Sequence, residues 1–219
     1  MINALVDWLV HTIDAFGYLG VMLSIFLESF IALIPSQIIL PFSGFVASQG
    51  SLNIVLVILA ATFGAYLGTL PFYFVGLWGE EFIEKFLKKY GKYLFISQED
   101  LDKGYRAFEK YGSGIVFFGR LIPIVRSVIS FPAGVAKMKF GIFSIFTFAG
   151  SLIFATILCT AGYLMGESWH IVAVYTEEYE RVVIALLVIL LLLYIWRGMR
   201  GVIKENKKRD ESQRSKKIE

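Results

Sequence analysis

The sequence contains a single cysteine and no Lys or Arg in its first 84 residues. Cys159 is the single cysteine among 219 residues and lies in an apolar run, so a disulfide framework and a cysteine-based metal site are excluded. No Lys or Arg precedes Lys85, and no Asp or Glu lies between Tyr111 and Gly166. Long stretches of the chain are therefore almost without charge, which a soluble protein of this length does not tolerate.

Apolar residues are abundant. They make up 57% of the chain, whereas soluble domains contain about 45–50%. The excess is concentrated in runs such as 182–196, long enough to approach the roughly 20 residues that a spanning helix needs. The composition predicts an all-α integral membrane protein.

The distribution of charge predicts the orientation. Segment 79–112 holds seven Lys or Arg, segment 197–219 holds nine against four acids, and segment 167–180 holds four acids without Lys or Arg. Cytoplasmic loops carry the excess of positive charge, so 79–112 and the C-terminus are predicted to be cytoplasmic. A nucleic-acid partner is not expected, because orientation already explains the basic tail.

The N-terminal residues predict an amphipathic helix on the membrane surface. Asp7, His11 and Asp14 recur at helical spacing on one face, and apolar residues cover the rest. The three side chains have a spacing that could hold a metal ion, but a solvated face is the simpler interpretation. We predict no metal site and no cofactor.

Two later segments contain prolines and glycines that a straight spanning helix would not sustain. The first has Pro35 and Pro41, and the second has Pro123 and Pro132. Broken backbone at membrane depth requires cover by protein or a water-filled cavity. Each segment is therefore predicted to be a re-entrant hairpin. The first is expected to have its tip near Pro35 to Pro41, and Pro123 and Pro132 are expected at the tip of the second.

These features divide the chain into one membrane domain, 16–166, with flanking parts. The flanks are the amphipathic helix 1–15, an outer loop with a C-terminal transmembrane helix at 167–200, and the basic cytoplasmic tail 201–219. The domain is predicted to comprise a hairpin at 16–49, a transmembrane helix at 52–78, two cytoplasmic surface helices at 79–112, a hairpin at 113–136 and a transmembrane helix at 140–166.

The two halves of the domain repeat each other. Leu33-Ile34-Pro35 recurs as Leu121-Ile122-Pro123, and Gly64 and Gly76 recur at the same spacing as Gly150 and Gly162. Parity of the crossings predicts an inverted repeat, the architecture of many secondary transporters. The glycines expected to allow close helix packing are Gly44, Gly64, Gly68, Gly134 and Gly150.

The halves differ in charge. The first supplies Glu28, the only acid between Asp14 and Glu80, and the second supplies Arg120 and Arg126. Ionisable residues at membrane depth are costly and are candidates for function. We expect the hairpin tips to face each other and Glu28 to approach Arg120 or Arg126, with Ser36 and Gln37 as supporting polar groups. A purely structural ion pair is the alternative.

The chain resembles the DedA family of bacterial membrane proteins, which carries the VTT or SNARE-associated domain. The motifs that carry the resemblance are Glu28, Ile34-Pro35-Ser36, Pro41-x2-Gly44, Gly64-x3-Gly68-x4-Tyr73-x2-Gly76, Gly119-Arg120-x2-Pro123-x2-Arg126 and Ala133-Gly134-x3-Met138-x-Phe140. The resemblance implies two facing hairpins, a place in the bacterial cytoplasmic membrane, and Glu28, Arg120 and Arg126 as essential residues. Many members have a second acid where this chain has Gln37.

The resemblance also implies a function, translocation of a lipid phosphate such as undecaprenyl phosphate, with proton coupling through Glu28 in some members. Phosphatidylethanolamine or another phospholipid is an alternative substrate, and a proton- or ion-coupled exporter of small solutes is a second hypothesis. A lipid phosphatase is disfavoured because His11 and His170 lie outside the hairpins, so no enzyme activity is expected. The sequence predicts no oligomeric state.

Overall fold

The described part of the chain is helical throughout its regular structure. The computed structural model describes residues 2–31, 36–94, 98–172, 174–175, 178–179, 181–186, 188–189 and 192–193. Its helices are α1 (Ile2–Phe16), α2 (Tyr18–Ile31), α3 (Ser36–Ser48), α4 (Ile54–Leu94), α5 (Gln98–Arg120), α6 (Pro123–Val128), α7 (Ser130–Val135) and α8 (Phe140–Met165). A 3₁₀ turn, Gly166–Ser168, follows α8.

Helix α1 packs on α2 with the face that its pattern predicts. Leu9 and Ile13 are buried, whereas His11 and Asp14 are exposed. The chain turns at Gly17, whose positive φ of 54° suits a glycine. His11 and Asp14 thus lie on the solvent-accessible side, and no cluster of three or more potential metal ligands occurs among the described residues.

Two stretches in the described residues are long and apolar enough to cross a membrane, Ile54–Gly79 in α4 and Phe140–Ser168, which is α8 with its 3₁₀ turn. Their outward faces carry large apolar side chains. The more exposed of these are Val55, Phe63, Val75, Trp78, Ile145, Ile157 and Leu164. A contiguous apolar exterior of this kind fits contact with lipid rather than water.

The two spanning helices make equivalent sets of contacts with the broken segments. Helix α4 packs against α2 and α7, while α8 packs against α5 and α3. Each spanning helix therefore contacts the first part of the broken segment before it and the second part of the other broken segment. The buried apolar core extends over α1, α2, α3, α4 and α8, with a second cluster around Tyr73 and Phe143.

Glycines lie at all four of these helix contacts, with no room for a Cβ. Their nearest neighbours are backbone carbonyls at three of the contacts and include the Arg120 side chain at the fourth. In the α2–α4 contact, Gly64 meets Met22, and in the α4–α7 contact, Gly76 meets Phe131 and Gly134 meets Tyr73. In the α3–α8 contact, Gly44 meets Cys159 and Gly162 meets Pro41. In the α5–α8 contact, Gly150 meets Phe117 and Arg120. Gly68 lies close to Ser29 in the same α2–α4 contact.

The predicted surface helices are not separate elements. Helix α4 continues past residue 78 to Leu94, and α5 continues past residue 112 to Arg120. The sequence changes from apolar to charged at these points, but Glu, Lys and Leu are all good helix formers. Polarity alters the surroundings of a helix without ending its hydrogen-bond ladder, so the charged segment forms the end of α4 and the start of α5.

Two of the prolines expected at hairpin tips lie inside helices instead. Pro41 is within α3, and Pro132 is the third residue of α7, where a proline costs no helical hydrogen bond. The prediction that the tip of the first hairpin lies near Pro35 to Pro41 is therefore wrong for Pro41, which lies within a helix. Pro35 itself lies outside the described residues, between α2 and α3.

The C-terminal prediction is only partly within the described chain. Residues 181–186, 188–189 and 192–193 are helical, and Val182, Leu186 and Leu192 among them are exposed. The transmembrane helix within 167–200 stays a prediction, and the basic tail 201–219 lies outside the described residues.

Candidate functional site

The second broken segment brings two arginines to either side of one chain break. Helix α5 ends at Arg120, residues 121 and 122 are not helical, and α6 begins at Pro123. Ile122 is extended (φ −102°, ψ 118°), as expected for a residue before proline. Pro123 suits the first helical turn because its missing N–H has no partner there in any case.

Arg126 forms a buried ion pair with Glu28. Its Nη2 atom donates to Oε1 at 2.8 Å and to Oε2 at 2.7 Å, across 98 residues of sequence. Both side chains are 8% exposed. The guanidinium carbon of Arg126 also lies 4.9 Å from the centre of the Phe154 ring, a favourable cation–π distance. The pair joins α2 to α6 and is covered by α8.

Arg120 is bound differently, to neutral oxygens. Its Nη1 atom donates to the main-chain carbonyl of Arg126 at 2.8 Å, and its Nη2 atom donates to the hydroxyl of Ser130. No carboxylate in the described residues forms an ion pair with Arg120. Arg120 is 3% exposed, so it is a buried cation whose hydrogen bonds in the described structure go to neutral oxygens.

Two buried polar atoms within the described chain have no hydrogen-bond partner there, Nε of Arg120 and Oγ1 of Thr147. Thr147 precedes Gly150 by one helical turn on α8. A Cβ at Gly150 would lie 2.7 Å from Cβ of Arg120, and side chains three residues apart on a helix lie about 5–6 Å apart. The two residues are linked through Gly150, which packs on Arg120 and lies one helical turn from Thr147, and unsatisfied buried groups of this kind call for an explanation.

The first broken segment contributes further polar groups. Ser36 and Gln37 are both buried at the start of α3, and the Ser36 hydroxyl donates to Oε1 of Gln37 at 3.4 Å. The Ser29 hydroxyl donates to Oε2 of Glu28 at 3.3 Å. Glu28 and Gln37 thus lie on opposite sides of residues 32–35, the same arrangement that Arg120 and Arg126 have around their break.

The contact expected between the halves is present, and the structure selects Arg126 for it. Sequence reasoning did not find Ser130, Thr147 or Phe154. Ser130 follows Arg126 by four residues, so its place on the same face could have been found from helical spacing. No sequence signal distinguishes Thr147 or Phe154 from the other residues of α8, because their importance depends on what packs against that helix.

Comparison with known proteins places this site in a family. A family model described as VTT domain matches residues 34–164, a region that contains both arginines and follows Glu28. The chain belongs to the VTT-domain (DedA) family.

Three relatives show how VTT-domain proteins are named. An "Alkaline phosphatase-like protein" of Lactococcus lactis is 40% identical over 85% of this chain and 88% of its own. "Uncharacterized membrane protein YkoX" of Bacillus subtilis is 33% identical over 97% and 90%. "Undecaprenyl phosphate transporter A" of Bacillus subtilis is 32% identical over 89% and 92%. No solved structure matches the chain.

Membership in the VTT-domain family and the apolar helices place this protein in a cell membrane. The transporter name carried by one relative favours a membrane transporter rather than an enzyme, although another relative is named for phosphatase-like character. The buried ion pair and the unpaired arginine are the features of the site that a transport function must explain.

Proposed function

We propose that this VTT-domain protein translocates a phosphate-bearing lipid, with undecaprenyl phosphate as the first candidate, across the bacterial cytoplasmic membrane. The observation that carries the proposal is the buried charge imbalance. Arg126 is paired with Glu28, whereas the hydrogen-bond partners of Arg120 among the described residues are a carbonyl and a hydroxyl. Arginine cannot lose its charge in a protein, and a phosphate is the anion that its planar donors bind well.

The proposed binding site uses donors that are present in this conformation. Nε of Arg120 and the Thr147 hydroxyl are both buried without a partner among the described residues. A phosphate group that reached these donors would supply the hydrogen-bond acceptors that they lack. Another oxygen of the same phosphate would compete with Glu28 for Arg126. Gln37 and Ser36, on α3 of the first half of the domain, would supply neutral donors.

The architecture proposed for movement is an inverted repeat of two re-entrant hairpins, α2–α3 and the end of α5 with α6–α7. The helix contacts support this architecture, because α4 packs against α2 and α7 whereas α8 packs against α5 and α3. Each spanning helix therefore contacts both broken segments. Glycine contacts allow such helices to slide at close range. The Glu28–Arg126 pair would close the path between the halves, and protonation of Glu28 or arrival of a phosphate would open it.

The direct test is lipid translocation by the purified protein in proteoliposomes. Labelled undecaprenyl phosphate and labelled phosphatidylethanolamine are compared, each with and without a pH gradient. We expect faster crossing of undecaprenyl phosphate than in protein-free vesicles. Crossing of phosphatidylethanolamine alone would reassign the substrate, and flux of small solutes without lipid crossing would contradict the proposal.

A phosphatase function is the second candidate, favoured only by the name of one relative. The same vesicles distinguish the two functions. Release of inorganic phosphate from undecaprenyl phosphate would support hydrolysis, whereas crossing of intact lipid without phosphate release supports transport.

Thr147→Val separates binding from stability. The hydroxyl forms no hydrogen bond in the described structure, so its removal should leave the free energy of unfolding unchanged or raise it by about 1 kcal/mol. Translocation should nevertheless fall, by roughly tenfold for one lost hydrogen bond to a charged group. The matched control is Thr156→Val, an exposed position on the same helix whose hydroxyl donates to the Leu152 carbonyl one turn earlier. Full activity of Thr147→Val would contradict the assigned role.

A further inference from the structure

A groove separate from the Arg120–Arg126 site lies between α5 and the turn that joins α7 to α8. Its volume is about 620 Å³, within the range of about 300–1,000 Å³ that small-molecule sites occupy. The residues that line it are Phe108, Glu109, Gly112, Ser113, Val135, Ala136, Lys137, Met138, Lys139 and Ile142. We call it the lysine groove, after Lys137 and Lys139.

The two lysines are carried by a firmly held turn. Lys137 has a positive φ of 51°, the only such non-glycine residue in the described chain. The turn is fixed from several sides: the Lys137 N–H donates to the Gly134 carbonyl at 2.9 Å and the Met138 N–H donates to the Ala133 carbonyl at 3.1 Å. The Tyr73 hydroxyl of α4 donates to the Met138 carbonyl. These hydrogen bonds hold Lys137 in a backbone conformation that residues other than glycine rarely adopt.

The lining combines two chemistries. Lys137, Lys139 and the Ser113 hydroxyl are donors, opposed by one carboxylate, Glu109. Phe108, Met138 and Ile142 provide an apolar wall, and Ile142 is 41% exposed on the outer side of α8. Free phosphate would need the donors but not the wall. An anionic headgroup that remains attached to its hydrocarbon chain would use both.

We propose that the lysine groove is a docking site for the phosphate headgroup of a membrane lipid, occupied before the lipid reaches the buried arginines. The position on α5 supports this order. Ser113 precedes Arg120 by seven residues on the same helix, about 10 Å along its axis. The docking role rests on the proposed function, because it supplies substrate to the arginine site.

The test measures lipid binding apart from transport. The purified protein in phosphatidylcholine nanodiscs is titrated with phosphatidic acid, a lipid with a terminal phosphate, and bound lipid is counted by native mass spectrometry. The test variant is Lys137→Gln/Lys139→Gln. The matched control is Lys110→Gln, because Lys110 lies on α5 beside the groove but is placed over the Tyr111 ring and does not line it.

We expect the double variant to bind phosphatidic acid at least tenfold more weakly and the Lys110 variant to bind as the unmodified protein does. Inorganic phosphate added to nanodiscs without phosphatidic acid should not protect peptides 108–113 and 135–142 from hydrogen exchange, whereas phosphatidic acid should. Equal weakening by both variants would show general attraction of anionic lipid to a basic surface and would overturn the proposal. Protection by inorganic phosphate alone would also overturn it.

Failure of the docking site and failure of the proposed function give different results. If the groove docks substrate, Lys137→Gln/Lys139→Gln should raise the lipid concentration needed for half-maximal translocation without lowering the maximal rate as an arginine substitution would. If lipid binds the groove but no lipid is translocated by any variant, the proposed function fails while the docking site stands.

Discussion

Replacing Arg126 by glutamine is expected to abolish translocation and to lower the free energy of unfolding by about 3–5 kcal/mol. The loss of stability follows because Glu28 is 8% exposed and its carboxylate oxygens both accept from Arg126. Without the guanidinium, the buried carboxylate keeps the Ser29 hydroxyl as its one hydrogen-bond donor in the described part of the chain. Translocation should fall to the level of protein-free vesicles, because the halves of the site are then no longer joined by a displaceable pair.

The double variant Glu28→Gln/Arg126→Gln separates these two effects. Two neutral amides can bond each other, and replacement of both members of a buried pair is often neutral or stabilising. We therefore expect the double variant to regain most of the lost stability, measured by denaturation in mixed micelles, while translocation stays absent. Recovery of translocation together with stability would show that the pair only fixes packing, and the transport role of Arg126 would be wrong.

Gly162→Ala is expected to be the most damaging single-methyl change in the helix contacts. A Cβ at Gly162 would overlap the carbonyl, C and Cα atoms of Pro41, all backbone atoms of a proline-containing helix that cannot rotate away. Overpacking of this kind costs about 1–3 kcal/mol or more. Because α3 carries Ser36 and Gln37, a displaced α3 should also disturb the site, so loss of activity should accompany loss of stability.

Gly141→Ala on the same helix is the matched control. A Cβ there meets nothing within 4 Å, so the change should be neutral or slightly stabilising through higher helix propensity. Thermal denaturation of both variants in the same detergent, followed by size-exclusion recovery, makes the comparison. A melting temperature for Gly162→Ala equal to that of Gly141→Ala would contradict the close α3–α8 contact.

Residue composition and spacing predict much of this fold, but they do not predict where each helix ends. The proline in the second broken segment correctly indicated the interruption at residues 121–122, between α5 and α6. The interruption predicted near Pro35 lies outside the described residues. The proline pattern did not indicate that Pro41 would be accepted inside α3, since that depends on Gly162 and Cys159 packing against the same helix. The charged pattern of segment 79–112 likewise predicted separate surface helices, whereas this segment belongs to the long helices α4 and α5.

The sequence by itself determined the class of protein, the repeated glycine and proline pattern, and the presence of two membrane arginines with one acid. These follow from composition and spacing, because hydrocarbon excludes charge and small residues permit close contact. Only the tertiary structure decided that Glu28 pairs with Arg126 and that Arg120 is held by a carbonyl and Ser130. It also decided that the Thr147 hydroxyl is buried without a hydrogen-bond partner in the described part of the chain. Contacts between residues 98 positions apart depend on where helix axes cross, and no local preference encodes that crossing.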